Sequence, residues 1–583
     1  MCSRLRKNSQ LIGILVLLFS PLFCETDTPQ SLPETFSGEL AIVPEDMPRL
    51  PESIDNEVVL HPELKGLVIV SDPSEMLTGS ELDSFEGFET KGLFIPGRET
   101  ELKRKLEPLY VHQPLTRASL NEIKYTISKY FREHHYPLVV VEVPEQDITG
   151  GVLQLIVIEG RLGKIDVIGN EYVSSKRLID YVSLRPSEPI QENRLIRDMN
   201  FINRNPFRRV DVVYSPGEEV GTTDLTLRVA DRRPLRFYGG LENTGVPTTS
   251  RQRYFAGFNW GNAFNLDHIM AYQFTSAYNS GEFYAHTLQY IAPLSWHHIL
   301  NIYGGYSRVH ADLPVPEMRN TGRSYQASAR YAVPLPPSRY LYHEFVLGYD
   351  WKRTNNTIEF SEQIVNVGDN VNISQFIFGY TGNYERAKYR LDFGLDVTWQ
   401  PGKMMGDQSK ADYETLRPDA GNDWVYALGQ LSYLQRLSES WSLFLQFKGQ
   451  ATYQNLLPSE QFYFGGYDTV RGYDQRQVTV DNGVILSGEL RTPPFRLLKN
   501  VNSMYQVKDG LQFLIFYDYG WGIDHTAIPT IPKAQWLMGV GPGIRYTIDS
   551  CLTARLDWGF KLHHKAAYGG GNSQVHFAVT ASY

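Results

Sequence analysis

Residues 389–399 read YRLDFGLDVTW, and this stretch decides the fold. Its aromatic and aliphatic residues alternate with polar ones, so that Tyr389 and Trp399 stand on one face and Asp392 and Asp396 on the other. A β-strand places successive side chains on opposite faces, and a strand of a membrane barrel turns its apolar face to lipid and its polar face to the lumen. The stretch therefore predicts a membrane-spanning strand of a β-barrel.

The same alternation recurs in residues 345–351, FVLGYDW, and in residues 552–560, LTARLDWGF. A soluble β-sandwich also alternates, but it would merely expose the opposite charges that the polar faces carry here. The apolar faces end in Trp and Tyr, as the aromatic girdles of membrane proteins do. The barrel is therefore the favoured interpretation.

The alternating pattern extends over residues 234–583. At roughly 20 residues per strand with its connections, this length allows about 16 to 18 strands, and such barrels favour even numbers. The expected fold class is a membrane β-barrel of about 16 antiparallel strands. Phe577 and Tyr583 lie on one face of the last run, which resembles the closing strand by which outer-membrane barrels are recognised for insertion.

Composition excludes several classes of protein. The 583 residues carry a formal net charge of -9, which argues against nucleic acid as a partner because phosphate binding needs a basic surface. Aromatic residues make up 13% of the chain while the mean hydropathy is only -0.32, a combination that fits a barrel better than a helical membrane protein.

The N-terminus predicts an exported protein. A charged start and the short apolar run 11–19 indicate a signal peptide over residues 1–24, cleaved near Cys24, with a lipid-modified Cys24 as the alternative. Residues 25–65 are acidic and Pro-rich and are interpreted as a flexible leader, with a plug for the pore as the less favoured reading. Only Cys551 lies beyond the leader, so no disulfide or thiolate metal site is expected.

Two small domains are predicted between the leader and the barrel, and both have the element order β-α-α-β-β. In residues 66–160, strands are expected at 67–70, 138–143 and 152–158, and helices at 99–108 and 116–134. In residues 161–233, strands are expected at 164–168, 210–214 and 225–229, and helices at 174–183 and 191–203. Ser119 and Glu122 have capping-box spacing near the start of one helix. A tandem repeat of one small module indicates a recognition arm rather than a catalytic domain.

Short motifs in both halves of the chain resemble two-partner secretion transporters of the haemolysin-activator type, within the Omp85 superfamily. The resemblance covers residues 66–583, and its two small domains would be POTRA domains. The POTRA motif residues are Pro144, Gln146, Asp147, Glu159, Gly160, Gly169 and Asn170. The barrel motifs are Val470-Arg471-Gly472-Tyr473, Gly488-Glu489-Leu490-Arg491 and Phe516-Tyr517-Asp518-Tyr519-Gly520.

The barrel motifs also make physical sense unaided. Alternation places Phe516, Asp518 and Gly520 on one strand face, and Glu489 and Arg491 on one face of another strand. Exposure of a carboxylate to lipid has a high free-energy cost, so both acids should point into the lumen. The resemblance implies that the loop carrying Arg471 enters the barrel. We expect its guanidinium to pair with Asp518, with Glu489 as the alternative partner and a solvated loop arginine as the remaining possibility.

The resemblance implies an outer-membrane transporter with its POTRA domains in the periplasm. These domains would bind the N-terminal secretion domain of an unfolded exoprotein, which would pass through a lumen lined by charged residues to the cell surface. The barrel itself would contact outer-membrane lipid and need the barrel-assembly machinery for insertion. Lumen-lining residues are expected at Arg390, Asp392, Asp396, Arg555 and Asp557.

Neither a catalytic site nor a cofactor or metal site is expected. The histidine pairs at 134–135, 297–298 and 563–564 lack the spacing of helical metal ligands, and no nucleophile elbow occurs. Two other functions stay open. An Omp85-type assembly factor would usually carry more or different POTRA repeats, and a passive porin would lack a POTRA arm.

Overall fold

The computed structural model describes residues 58–219, 221–312, 319–338, 340–354, 370–437, 441–498, 508–526, 532–563 and 571–583. The predicted signal peptide, Cys24 and residues 25–57 of the predicted leader lie outside the described residues.

The first small domain is a mixed sheet of four strands covered by two helices. Its sheet order is β3-β2-β6-β5, with β2 parallel to both neighbours. The elements are β1 (Val59–His61), β2 (Gly66–Val70), α1 (Ser80–Ser84), β3 (Gly87–Lys91), α2 (Glu99–Tyr110), β4 (Leu115–Thr116), α3 (Arg117–Glu133), β5 (Val139–Glu142) and β6 (Val152–Glu159). The helices bury one apolar face each, as helical spacing predicts, through Leu102, Leu106, Ile123, Ile127 and Phe131.

The first domain contains the short elements β1, α1, β3 and β4, which the sequence analysis did not predict, and its capping box also differs from the predicted one. Strand β3 was not expected, because it lies at the sheet edge and each of its residues is half-buried, which leaves no alternating pattern to read. The capping box of α3 joins Thr116 and Ser119 rather than Ser119 and Glu122. The Thr116 hydroxyl accepts from the Ser119 amide at 3.0 Å, and the Ser119 hydroxyl accepts from the Thr116 amide at 2.8 Å.

The second small domain repeats the arrangement with three strands in the order β7-β9-β8. Its elements are β7 (Arg161–Ile168), α4 (Ser175–Asp180), α5 (Glu192–Ile202), β8 (Arg208–Pro216) and β9 (Thr222–Asp231). Leu195, Met199 and Ile202 of α5 are buried against the sheet, as their spacing predicts.

The rest of the chain closes into a barrel of 16 antiparallel strands, which confirms the predicted fold class. The barrel strands are β10 (Leu235–Glu242), β11 (Arg253–Ala263), β12 (His268–Ala277), β13 (Phe283–Pro293), β14 (Ile299–Asp312), β15 (Arg319–Pro334), β16 (Leu341–Thr354), β17 (Val371–Arg386), β18 (Tyr389–Pro401), β19 (Asp423–Arg436), β20 (Ser442–Thr452), β23 (Asn482–Arg491), β24 (Asp509–Ile523), β25 (Ala534–Ile548), β26 (Leu552–Lys561) and β27 (Ser573–Ser582). Strand β27 pairs with β10 and closes the ring. A hairpin of β21 (Phe462–Phe464) and β22 (Val478–Val480) and the helix α6 (Lys410–Glu414) lie in loops.

The two faces of the barrel strands differ as the alternation predicts. Leu395 and Trp399 on β18 are 50% and 44% exposed, and Trp558 on β26 is 46% exposed, although each is large and apolar. Asp557, which lies between Leu556 and Trp558 on β26, is fully buried. An apolar exposed face over a charged interior is what a barrel surrounded by lipid requires. No helix in the described ranges is both long and apolar enough to cross a membrane.

The second small domain is joined to one end of the barrel by polar contacts. Arg208 forms a bidentate ion pair with Asp267, in the turn between β11 and β12, and both groups are buried. Arg204 pairs with Glu344 at the start of β16 at 2.5 Å. His297, in the turn between β13 and β14, contacts the carbonyl oxygen of Tyr181 at 2.8 Å through Nε2. These contacts fix the domain at the mouth of the barrel.

Candidate functional site in the barrel lumen

The loop between β20 and β23, residues 453–481, is termed loop 6. Its hairpin β21–β22 carries the motif residues 470–473 at its tip. Val470 and Tyr473 are completely buried and Arg471 is 3% exposed, so the tip does not project into solvent. The tip instead packs against the inner wall of the barrel, as the resemblance implied.

Arg471 contacts both carboxylates that the sequence offered as partners. Its Nε and Nη2 donate to the two carboxylate oxygens of Asp518 at 2.7 and 2.8 Å. Its backbone amide also donates to Asp518, at 3.0 Å, and its Nη1 donates to Glu489 at 2.5 Å. Bidentate guanidinium–carboxylate pairs combine strength with a fixed geometry. The two partners are therefore used together rather than as alternatives.

The ion pair belongs to a wider network that sequence reasoning did not assemble. Asp557 on β26 accepts from Arg545 and Arg555 at 2.7 Å each and lies 3.7 Å from Arg471. Arg491 donates to Glu489 at 2.9 Å, within the same strand. Four arginines thus surround three carboxylates, Glu489, Asp518 and Asp557, and all seven groups are buried. Because an uncompensated buried charge costs several kcal/mol, the network favours keeping every member in place.

The wall has a shape that accepts the loop tip. Any side chain at Gly539 would overlap the carbonyl of Arg471, and any side chain at Gly559 would overlap the amide of Gly472. Gly520 leaves room for Val470 and Phe464 in the same way. The backbone of the tip therefore lies directly against the strands.

Further contacts fix the orientation of the tip. The guanidinium of Arg471 lies 3.6 Å from the ring centroid of Phe516. The amide of Gly472 donates to Nε2 of His576 on β27 at 3.0 Å. The Tyr473 hydroxyl lies 3.0 Å from the carbonyl oxygen of Met538 and 2.8 Å from that of His563.

The POTRA motif residues lie far from this network and shape the first domain locally. The side-chain amide of Gln146 exchanges two hydrogen bonds of 2.7 Å with the backbone of Gln154 on β6 and so extends the sheet edge after Pro144. Asp147 accepts from the Thr149 amide at 2.9 Å and stabilises the following turn. Burial raises the pKa of the Glu159 carboxyl, an effect that the nearby Arg161 opposes.

The remaining motif residues join and begin the second domain. Gly160 lies so close to Leu138 that any Cβ would come within 2.7 Å of its side chain. Gly169 has φ +81°, which favours glycine. Asn170 donates to the Val173 carbonyl at 2.8 Å. These residues give the domains their form.

The aromatic residues of the chain terminus lie at the closing seam. The backbone of Tyr583 exchanges hydrogen bonds of 2.8 and 3.0 Å with Phe237, the third residue of β10. The Phe577 amide donates to the Asn243 side chain at 2.8 Å. Tyr583 is 71% exposed, on the outside of the barrel.

The sequence analysis did not identify four residues of the site, Arg545, His576, Gly539 and Gly559. It named Asp557 and Arg555 but did not place them in the network. Each lies on a strand that is remote in sequence from loop 6. The alternation could identify Arg545 and His576 as inward-facing, but nothing local could place them against a loop about 70 to 105 residues earlier. Asp557 and Arg555 were expected to line an open passage; they are instead buried beneath the loop tip. Within the described ranges, His, Cys, Asp and Glu side chains form no group of three or more that could hold a metal ion.

Comparison with known proteins gives three family matches along the chain. Residues 88–160 match the model of the ShlB-type POTRA domain, and residues 160–232 match a POTRA model described as a surface antigen variable number repeat. Residues 221–546 match the model of the haemolysin secretion/activation protein ShlB/FhaC/HecB.

Individual relatives agree with these matches. The chain is 21% identical over 462 residues to a heme/hemopexin transporter protein, HuxB, of Haemophilus influenzae, covering 75% of this chain and 76% of that protein. It is 24% identical over 436 residues to the outer membrane transporter CdiB of Dickeya dadantii, covering 69% and 71%. The structure of CdiB from Escherichia coli has the same fold, with a TM-score of 0.74, 17% identity and 93% of each chain covered.

The ShlB/FhaC/HecB model spans more than half of the chain, and two POTRA domains precede the 16-stranded barrel. The chain belongs to the ShlB/FhaC/HecB family of haemolysin secretion and activation proteins and is an outer-membrane transporter of two-partner secretion with its POTRA domains in the periplasm.

Proposed function

We propose that this transporter receives one unfolded exoprotein at its POTRA domains and passes it through the barrel lumen to the cell surface, with loop 6 setting the width of the passage. The observation that carries this proposal is the seating of Arg471 between Asp518 and Glu489, because it holds the tip of loop 6 against the inner wall of the barrel. In this role the network makes and breaks ion pairs and hydrogen bonds and takes part in no covalent reaction. Its role is to hold loop 6 and to release it.

The second POTRA domain offers an edge to which an extended chain could add. Strand β8 is nine residues long and forms one edge of the sheet β7-β9-β8. The other edge, β7, is partly covered, since Leu162 exchanges backbone hydrogen bonds of 2.7 and 2.8 Å with Ser187 and Glu188. Strand addition to an exposed edge uses main-chain hydrogen bonds and therefore tolerates many sequences. We infer that β8 is the edge at which the exoprotein first pairs.

The residues at the POTRA–barrel junction support delivery into the lumen. Arg208 and Asp267 lie at the start of β8 and at the barrel mouth, so the proposed docking edge begins beside the entrance. A chain paired along β8 would be led toward the periplasmic opening. The terminal residues Phe577 and Tyr583 serve, in this proposal, to present β27 to the barrel-assembly machinery during insertion.

The test is to delete the gene and compare secreted and surface-exposed proteins with those of the parent by mass spectrometry. The proposal predicts loss of one large exoprotein, restored by the wild-type gene and poorly restored by Arg471→Ala. Loss of many unrelated barrels would instead indicate an assembly factor of the Omp85 type. An unchanged set of exported proteins with reduced uptake of small solutes would indicate a porin.

A further inference from the structure

A second buried ion pair holds loop 6, in the stem of the loop rather than at its tip. Glu460 precedes β21 and its side chain is completely buried. Its carboxylate accepts from the ammonium of Lys352 on β16 at 2.8 and 3.1 Å. It also accepts from the Gln375 side-chain amide on β17 and from the Tyr426 hydroxyl on β19, each at 3.0 Å.

The stem and the tip contact different parts of the wall. Glu460 reaches β16, β17 and β19 through its carboxylate and β20 through its carbonyl oxygen, which accepts from Gln450, whereas the tip reaches β23, β24, β25, β26 and β27. The two sets share no strand. Loop 6 is therefore attached to two separate arcs of the barrel wall.

The two attachments have opposite polarity. At the tip, the loop supplies a cation to carboxylates of the wall, and at the stem it supplies a carboxylate to a cation of the wall. Lys352 lies two residues from the end of β16 that faces away from the POTRA domains, and Asp518 lies five residues from the corresponding end of β24. The stem is therefore held nearer the cell surface than the tip.

The surroundings of Glu460 pair its buried charge and fix the position of the stem. A buried carboxylate is tolerated only when its charge is paired and its oxygens accept hydrogen bonds, and four side chains provide this here: Lys352, Gln375, Tyr426 and Ser459. The preceding Leu456 and Leu457 are fully buried beside Tyr413 and Trp424 of the neighbouring loop and strand. The stem therefore enters the lumen at a fixed point.

We infer that Glu460 is a second positioning residue of loop 6, independent of Arg471, and that the loop leaves the lumen only when both attachments break. This inference rests on the proposed role of loop 6 in setting the passage. If only the tip is released, the stem still holds the loop across the upper lumen. If only the stem is released, the tip still blocks the lower lumen. Full opening thus requires two separate events.

The test is the open probability of the full-length purified protein in planar lipid bilayers, which needs no exoprotein. Glu460→Gln and Arg471→Ala are measured singly and together, with Glu414→Gln as the matched control. Glu414 is also a glutamate in an ion pair, but it is exposed and its partner Lys410 lies on the same short helix, α6. Heat-modifiable migration in gels confirms that each variant has a folded barrel.

Loss of a hydrogen-bonded charge should raise the open probability by about tenfold in each single variant. The double variant should open by about the product of the two single effects, because the two attachments break independently. The inference is overturned if Glu460→Gln matches Glu414→Gln in both the wild-type and the Arg471→Ala background. Should Glu460→Gln fail to fold, Tyr426→Phe is used, because it removes one hydrogen-bond donor to Glu460 and leaves the charge pair in place. The inference is then overturned if Tyr426→Phe matches Glu414→Gln in both backgrounds. If the open probabilities change as expected but the same variants secrete the exoprotein normally, the second attachment stands and the proposed function is contradicted instead.

Discussion

Arg471 makes contacts that an ammonium group cannot reproduce. Its guanidinium reaches Asp518 through two nitrogens and Glu489 through a third, while its flat face lies on Phe516. Lysine would keep the charge but lose the planar fork that satisfies both acids at once.

We therefore expect Arg471→Lys to behave nearly like Arg471→Ala in bilayer recordings, with an open probability about tenfold above wild type or more. Normal gating by the lysine variant would show that charge alone holds the tip. Arg436→Lys, at the periplasmic end of β19, serves as the control for the substitution itself.

Substitution of Gly559 tests the seating of the loop tip without changing a charge. An alanine there would place its Cβ against the backbone of Gly472, so the tip could not seat. Gly559→Ala should open the channel as Arg471→Ala does, although it removes no charge. Gly429→Ala on β19 is the matched control, because the nearest atom to its Cβ would be 4.0 Å away. Closed channels in Gly559→Ala would mean that the tip tolerates displacement from the wall.

The residues that the sequence made visible are those that obey a local rule. Alternation identified Asp518 and Glu489 as lumenal, and the resemblance to two-partner secretion transporters implied that Arg471 pairs with them. Glu460 and the network contacts of Asp557 could not be assigned in this way. A single glutamate in a loop has the same local pattern whether it is solvated or buried, and of the three arginines around Asp557 only Arg555 lies on the same strand.

At the level of single elements, β8 provides the most direct test of recognition. Val213 is 37% exposed on this edge strand, and Val140 is 55% exposed on β5, the corresponding antiparallel edge of the first POTRA domain. A photo-crosslinking residue at position 213 should capture the exoprotein in secreting cells, and one at position 140 should capture less. The reverse ratio would move the docking edge to the first domain.

The loops at the far end of the barrel carry a group whose protonation should affect opening. Arg417, in the loop between β18 and β19, contacts Asp481 at the base of loop 6 at 2.5 Å and Asp524 after β24 at 3.1 Å. Burial and the neighbouring Asp481 raise the pKa of Asp524 to about 7. An aspartate in an open, solvated loop would have a pKa of about 3.9.

A raised pKa means that the joined loops bind the proton more tightly than the separated loops do. The contribution of Asp524 to the joined state is complete below its ordinary pKa and is lost as pH rises through about 7. Open probability should therefore increase between about pH 5 and pH 8, and Asp524→Asn should make this profile flatter. A wild-type profile that falls over this range would contradict the assignment.

Some elements could be predicted from the sequence and others could not, for a physical reason. The helices α2, α3 and α5 and most barrel strands bury one regular face, so their period is visible. Strand β3 is half-buried along its whole length, and the hairpin β21–β22 has three residues in each strand, so neither carries a readable period.

On the scale of the whole molecule, the chain links three regions in series. The POTRA arm is fixed to the barrel mouth by Arg208 and Asp267, loop 6 is attached to the barrel wall at two places, and further loops meet above it. Breaking a buried ion pair by removal of one partner costs about 3 to 5 kcal/mol, so each region is held firmly. Transport would then depend on an exoprotein that displaces loop 6 from its attachments.

The order of domains could be predicted because each region has its own sequence period, which changes from helical to alternating near residue 234. The attachments between regions could not, since Arg208 and Asp267 are 59 residues apart and each resembles an ordinary surface charge.

Passage of the exoprotein through the lumen is tested most directly by photo-crosslinking from the two faces of β18 in actively secreting cells. Adjacent positions on this strand face opposite sides, so Asp392 reports on the lumen and Leu395 on lipid. The account predicts a large adduct containing the exoprotein from position 392 and none from position 395. Continued secretion with no adduct at position 392, or with equal adducts at both positions, would contradict transport through the barrel.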